Sequence, residues 1–134
     1  MSPADVQRLQ SAIRDVPDFP KQGILFKDIT PILGDGELLR IAVDGYIAVG
    51  RAAGAEKIVG IDARGFIFGA AAAYEMGIGF VPVRKKGKLP YRCESAAYSL
   101  EYGEAVVEMH IDAVKPGERV IIMDDLLEIG RAHV

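Results

Sequence analysis

Two aspartates stand side by side where an apolar run ends, in VIIMDDLL (120–127). Carboxylates that close a buried strand repel each other, and desolvation sharpens the repulsion. Asp124 and Asp125 therefore need a metal, a set of hydroxyl donors or a helix N-terminus. The plainer alternative has one acid capping the next helix and the other facing water. A second strand end reads Asp62-Ala63-Arg64-Gly65 and runs straight into a helical segment. Gly65 permits a tight turn there, and a helix N-terminus favours an anion. The plainer alternative is that Asp62 caps the helix and Gly65 only makes the turn. The third cluster, RKKGKLP (84–90), places four cations around one glycine. A mobile positive loop of this kind can close over a polyphosphate, although a charge run is also what a solvated turn looks like. The fourth is SLEYG (99–103), where Glu101 beside a turn can act as a general acid or base or be an exposed strand carboxylate.

The chemistries with recognisable fingerprints are missing. His110 has no partner at metal-ligand spacing, and no Cys/His cluster suggests zinc. Neither GxxxxGK[ST] nor GxGxxG occurs, which argues against a P-loop ATPase and a dinucleotide-binding enzyme.

The elements that must position these clusters alternate strand and helix. KIVGID (57–62) and GFVPVR (79–84) read as strands around the helical GFIFGAAAAYEM (65–76). AAYSLEYGEAVVEMHI (96–111) reads as a hairpin turning at Tyr102-Gly103-Glu104, and KPGERVIIMDD (115–125) as a turn followed by a strand that is apolar on both faces. Apolar strands with helical crossovers predict a parallel sheet in an α/β domain, whose ligands gather beyond the carboxyl ends of the strands. Upstream, residues 2–15 predict an amphipathic helix capped by Ser2, with Val6, Leu9 and Ile13 on one face. VPDFPKQG (16–23) breaks it, ILFKDIT (24–30) is β-rich, and residues 34–55 predict a helix capped by Asp35 with Leu38, Ile41, Ala42 and Val49 inward.

With 134 residues, 50% of them hydrophobic and 26% charged, the chain is sized for one domain with a real core. A net charge of −3 argues against a general nucleic-acid surface. The single cysteine, Cys93, cannot form an internal disulfide. No apolar run reaches the roughly 18–20 residues a membrane helix needs, and MSPADVQRLQ lacks a signal-peptide core. The expectation is a cytoplasmic protein with neither nucleic-acid nor membrane partners.

The order of the clusters is more specific than any one of them. PDFPKQGILFKDITPIL (17–33), GIDARGFIFG (60–69), VRKKGKLP (83–90), YSLEYG (98–103) and VIIMDDLL (120–127) resemble the adenine phosphoribosyltransferases in sequence, order and spacing. The resemblance implies a type I phosphoribosyltransferase-like α/β fold: a parallel sheet flanked by helices, a small N-terminal hood and a β-hairpin. It implies transfer of phosphoribose from phosphoribosyl pyrophosphate to adenine, giving AMP and pyrophosphate in purine salvage, with Mg²⁺, in a cytoplasmic homodimer. It also implies roles for individual residues. Leu25, Phe26 and Lys27 match the hood segment that holds adenine. Asp62, Ala63, Arg64 and Gly65 match the pyrophosphate loop, and Arg84, Lys85 and Lys88 the mobile basic loop. Glu101 matches the catalytic carboxylate near the base, and Tyr102 a residue that closes the site. Asp124 and Asp125 match the pair that holds the ribose hydroxyls and the water shell of a metal bound through substrate, with no direct protein ligand.

After Leu127 the resemblance stops. The family continues with an Ala-Thr-Gly-Gly-Thr loop that cradles the ribose phosphate, whereas this chain reads Glu128-Ile129-Gly130-Arg131-Ala132-His133-Val134. The bases GAG ATC GGA AGA GCA CAC GTC encode that string and, from the second base onward, read as a sequencing adapter. Residues 128–134 are therefore expected to be a non-native tail from adapter read-through. Residues 1–127 are expected to form a single, incomplete phosphoribosyltransferase domain, inactive as the 134-residue polypeptide, with an exposed edge on its last strand. The alternatives are a non-catalytic regulator of the same fold that binds phosphoribosyl pyrophosphate, and a relative acting on guanine, hypoxanthine or xanthine.

Overall fold

The computed structural model describes residues 1–100 and 103–125. The chain forms two compact units, Met1–Gly45 and Tyr46–Val134. The first opens with helix α1 (Pro3–Ala12), where the Ser2 hydroxyl accepts the Asp5 amide as a cap. The helix ends earlier than the sequence pattern predicts, because residues 14–17 are taken into strand β1 (Arg14–Pro17). Pairing with β2 (Leu25–Asp28) outweighs the helical spacing there. No residue of α1 is fully buried, so the predicted Val6/Leu9/Ile13 face is only partly covered.

β1 and β2 are antiparallel, with Arg14 opposite Asp28 and Asp15 opposite Lys27. Both cross-strand pairs are ion pairs, at 3.0 and 2.6 Å, the arrangement that best uses opposite charges on one face. Asp28 also accepts the Thr30 amide, and that bond, with the Thr30 hydroxyl and Arg14, holds its carboxyl below the ordinary range. Thr30 opens a single-turn helix, α2 (Thr30–Leu33), so the β-rich stretch ends sooner than its composition suggests. Helix α3 (Gly36–Ala52) begins as expected at Asp35, whose carboxylate accepts the amides of Glu37 and Leu38. Of its predicted inward positions Ala42 is buried and Leu38 and Ile41 are partly buried, whereas Val49 is 58% exposed and Ile47, at 5%, is the buried side chain of that turn.

The second unit is built on a five-stranded sheet of order β5-β6-β4-β3-β7. Strands β3 (Lys57–Ile61), β4 (Gly79–Lys85) and β7 (Val120–Met123) are parallel neighbours. β5 (Cys93–Leu100) and β6 (Gly103–His110) form an antiparallel hairpin that joins β4 at Arg84 and Lys85 only. That junction lies past Pro82, which suits a residue with no N–H to give to a ladder. Leu100 pairs with Gly103, so Gly103 and Glu104 belong to the strand rather than to the turn the sequence suggested. The sheet is thus mixed, parallel at its centre with an antiparallel hairpin on one flank.

Alternation along β3 divides the core. Ile58, with no exposed surface, packs toward α4 (Arg64–Met76) along with Phe68, Ala72 and Ala73. Val59 faces the other way, into a cluster with Val81 and Val83. Burying each of the isoleucine, phenylalanine and valine side chains contributes roughly 1.5–3 kcal/mol. β7 is brought to β3 by Lys57, whose ammonium donates to the Ala113 carbonyl and pairs with Glu118 at 3.0 Å. Among the described residues β7 is an edge strand, and its Ile122 is 67% exposed although the run is apolar throughout. No described helix is long and apolar enough to cross a membrane.

Candidate functional site

Parallel pairing aligns the carboxyl ends of β4, β3 and β7, and three of the four chemical clusters follow those ends. After β3 the chain turns through Asp62-Ala63, joined by a cis peptide, into the first turn of α4. Ala63 occupies the cap position of α4 without a side-chain hydrogen bond, so Asp62 is not the cap. Its carboxylate instead meets the Arg84 guanidinium at 3.3 Å, with only 11% of the Asp62 side chain exposed. Arg84 comes from the end of β4 and also lies over the Phe66 ring, 6.0 Å from its centroid. The Asp62 amide completes the link by donating to the Val83 carbonyl at 2.8 Å.

On the other side of β3, the α4 N-terminus meets the end of β7. A β-carbon on Gly65 would sit 2.7 Å from the Met123 carbonyl oxygen and 3.1 Å from Asp124 Oδ1. Only glycine lets the helix turn and the acidic pair approach this closely. Arg64 Nε lies 2.9 Å from Asp125 Oδ2, and the Asp125 side chain is 5% exposed. The arrangement with one acid facing water therefore does not describe Asp125. Asp124 is exposed as a residue, but its Oδ1 is turned against Gly65 and accepts the Asp125 amide at 2.8 Å. Burial of that carboxyl, reinforced by the Asp125 charge, pushes it up to about 6 against the pull of the Asp125 amide and Arg64.

Sequence patterns single out neither Tyr46 nor Glu108. The Tyr46 hydroxyl donates to the Asp124 main-chain carbonyl at 2.7 Å, and its ring stacks on Phe68 with centroids 5.1 Å apart. Burial and the two nearby aspartates push that phenol up to about 12, which keeps it a donor. The available signal was an aromatic with a polar tip on a helix otherwise read for its apolar stripe. Glu108, on β6, accepts the Gly87 amide at 2.8 Å and the Ser95 hydroxyl at 3.0 Å.

The basic cluster forms a turn at the end of β4. Lys86 donates its amide to the Val106 carbonyl and Lys88 to the Lys85 carbonyl, with Gly87 in the left-handed region at φ +86°. The side chains of Lys85, Lys86 and Lys88 are exposed. The hood candidates belong to the first unit. Phe26 meets Phe19 edge-on at 5.1 Å, Lys27 pairs with Asp15, and Leu25 is 53% exposed. Glu101, Tyr102 and residues 126–134, including the expected tail, lie outside the described residues.

The structure thus gathers Asp62–Gly65, Arg84, Asp124 and Asp125 at one end of the sheet. Two guanidinium groups and a helix N-terminus there can receive an anion, and two carboxylates can accept hydrogen bonds from hydroxyls. Among the described residues no group of three or more His, Cys, Asp or Glu side chains is placed to hold a metal ion.

The arrangement has close relatives. No family model matches the chain. Adenine phosphoribosyltransferase of Neorhizobium galegae is 56% identical over 126 residues, which is 94% of this chain and 70% of that protein. The crystal structure of adenine phosphoribosyltransferase from Rhodothermus marinus matches with a TM-score of 0.82 at 52% identity, over 90% of this chain and 69% of that one. The Saccharomyces cerevisiae protein, in complex with adenine and an imino-altritol bisphosphate, matches with a TM-score of 0.83 at 40% identity, over 91% of this chain and 72% of that one. The identity runs along nearly the whole chain and the fold agrees with it, so this chain belongs to the adenine phosphoribosyltransferases.

Proposed function

We propose that the gathered strand ends are the phosphoribosyl pyrophosphate site of an enzyme that joins phosphoribose to adenine, releasing AMP and pyrophosphate in purine salvage. The observation that carries this reading is the meeting of the α4 N-terminus with Asp124 and Asp125 across Gly65, a position with no room for a side chain. Displacement at an anomeric carbon passes through an oxocarbenium-like state. Such a state asks for positive charge on the departing pyrophosphate and tolerates negative charge beside the sugar. Arg64 and the α4 N-terminus are assigned the first task, with Lys85, Lys88 and Arg84 closing from the basic turn. Asp124 and Asp125 are assigned the ribose hydroxyls. Leu25, Phe26 and Lys27 are assigned adenine, Glu101 the purine proton and Tyr102 closure over the base.

In the resting chain Arg64 and Arg84 are each paired with a carboxylate. An anion that binds there must compete with Asp125 and Asp62, or arrive with a cation of its own. A donor set of two adjacent carboxylates fits Mg²⁺, which keeps several waters and is held largely by substrate oxygens. When bound, the ion would neutralise charge on the pyrophosphate. The working protein is proposed to be a cytoplasmic homodimer.

The test is a purine competition with the purified full gene product and phosphoribosyl pyrophosphate. Adenine is expected to be consumed in preference to guanine and hypoxanthine, with equimolar AMP and pyrophosphate formed. Equal use of the oxopurines would overturn the assignment.

A further inference from the structure

We infer that Glu108 is a positioning residue for the basic turn: its carboxylate fixes the backbone on which Lys85 and Lys88 are carried toward the pyrophosphate. The inference rests on reading that turn as a pyrophosphate-closing element. Glu108 is the direct cross-strand partner of Arg84 on one side and of Ser95 on the other, so the three side chains rise from the same face of the sheet. Arg84 reaches Asp62 of the loop after β3, and Glu108 reaches the amide of Gly87 at 2.8 Å. The Ser95 hydroxyl holds the second carboxylate oxygen at 3.0 Å and so sets its orientation.

The Gly87 amide is the one the ladder cannot serve. Lys86 bonds to Val106 of β6, and Lys88 closes the turn on Lys85. Between them Gly87 stands at φ +86°, with its amide directed at Glu108. A charge-assisted bond at this point converts three flexible cations on a loose connection into cations on a fixed backbone. That lowers the ordering cost of binding a polyanion. A carboxylate set among lysines would otherwise weaken anion binding, so its position calls for such a return.

The tests are amide exchange at Gly87 and steady-state kinetics, both on the full gene product. In the unsubstituted protein, Gly87 is expected to exchange about tenfold slower than a free peptide amide; exchange at the free rate overturns the inference without any variant. Glu108→Ala is expected to remove that protection and raise KM for phosphoribosyl pyrophosphate about tenfold, with kcat and the KM for adenine within about twofold. Glu108→Gln, which keeps an acceptor for Gly87, is expected to recover most of the loss. An unchanged KM in Glu108→Ala, or a uniform fall in kcat that glutamine does not rescue, overturns the positioning role. Lys88→Ala separates the two levels. If it raises KM while Glu108→Ala does not, the closing turn stands and the role of Glu108 falls; if Lys88→Ala leaves KM unchanged, both fall.

Discussion

Replacing Gly65 by alanine sets two effects of opposite sign against each other. In a helix, alanine is favoured over glycine by up to about 1 kcal/mol. If local propensity governed α4, Gly65→Ala would stabilise the protein. The tertiary structure argues the reverse. The new β-carbon would lie 2.7 Å from the Met123 carbonyl oxygen and 3.3 Å from Asp124 Cα. Both are main-chain atoms, the first in the last residue of β7, which is paired to β3, and the second in the residue that follows, and they cannot rotate away. Reaching ordinary contact requires the helix turn and the strand end to part by about 0.7 Å. Overpacking of this kind costs roughly 1–3 kcal/mol, so a full propensity gain of about 1 kcal/mol leaves an expected net destabilisation of about 0–2 kcal/mol. The same displacement moves Arg64 away from Asp124 and Asp125, and misplacement on the order of 1 Å in a site can cost about a hundredfold. A loss of ten- to a hundredfold in kcat/KM for phosphoribosyl pyrophosphate is therefore expected. Urea unfolding would report the stability as a shift in midpoint at constant slope, and initial rates with the pyrophosphate substrate varied would report the site. Gly69→Ala is the control. There the closest atom, at 2.8 Å, belongs to the Phe80 ring, a side chain that can shift, and the acids are not involved. A Gly65→Ala protein as stable as wild type, with unchanged KM, would refute the reasoning.

Three further expectations follow from the same geometry. Tyr46→Phe keeps the stack on Phe68 but removes the donor to the Asp124 carbonyl. A loss of about 0.5–1.5 kcal/mol in chemical denaturation is expected, and a value near zero would mean that water replaces the phenol. Arg64→Ala strands the nearly buried Asp125 carboxylate; about 1–3 kcal/mol of destabilisation is expected, most of it recovered in the Arg64→Ala/Asp125→Asn double variant, and a double variant no better than the single one would count against the pairing. Asp124 gives a pH dependence with a definite sign. Its folded carboxyl sits at about 6 against an ordinary 3.8, so the folded state holds the proton more tightly, and this contribution to stability declines as pH rises from about 4 to 6. Asp124→Asn is thus expected to be more stable than wild type at pH 7, on the order of 1 kcal/mol once solvent screening of an exposed residue is allowed for, and to lose that advantage near pH 4. It is expected to be poorly active throughout. An advantage independent of pH would show that desolvation of Asp124 is not its source.

Read as a line of residues, the chain already determines its alternation of strand and helix, the hairpin, the glycine-centred basic turn and the acid pair at the end of an apolar strand. Each of these is local: periodicity, turn chemistry and composition act over a few residues, and the order of the segments carries the family resemblance. What only the tertiary structure decided is which groups answer which. Asp62 reads equally well as a helix cap, yet it pairs with Arg84, 22 residues away. Arg64 and Asp125 are joined because β3 and β7 run parallel and bring their carboxyl ends together. Tyr46 reaches Asp124 across 78 positions of sequence, and Glu108 finds Gly87 only because β6 docks on the last two residues of β4. Arg14 and Asp15 make the same point within a shorter span, since pairing with β2 converts the predicted end of a helix into the start of a strand. Strand register is a long-range choice made by burial and ladder hydrogen bonds. The partners of a charged side chain follow from that register, and no pattern in the neighbouring residues encodes them.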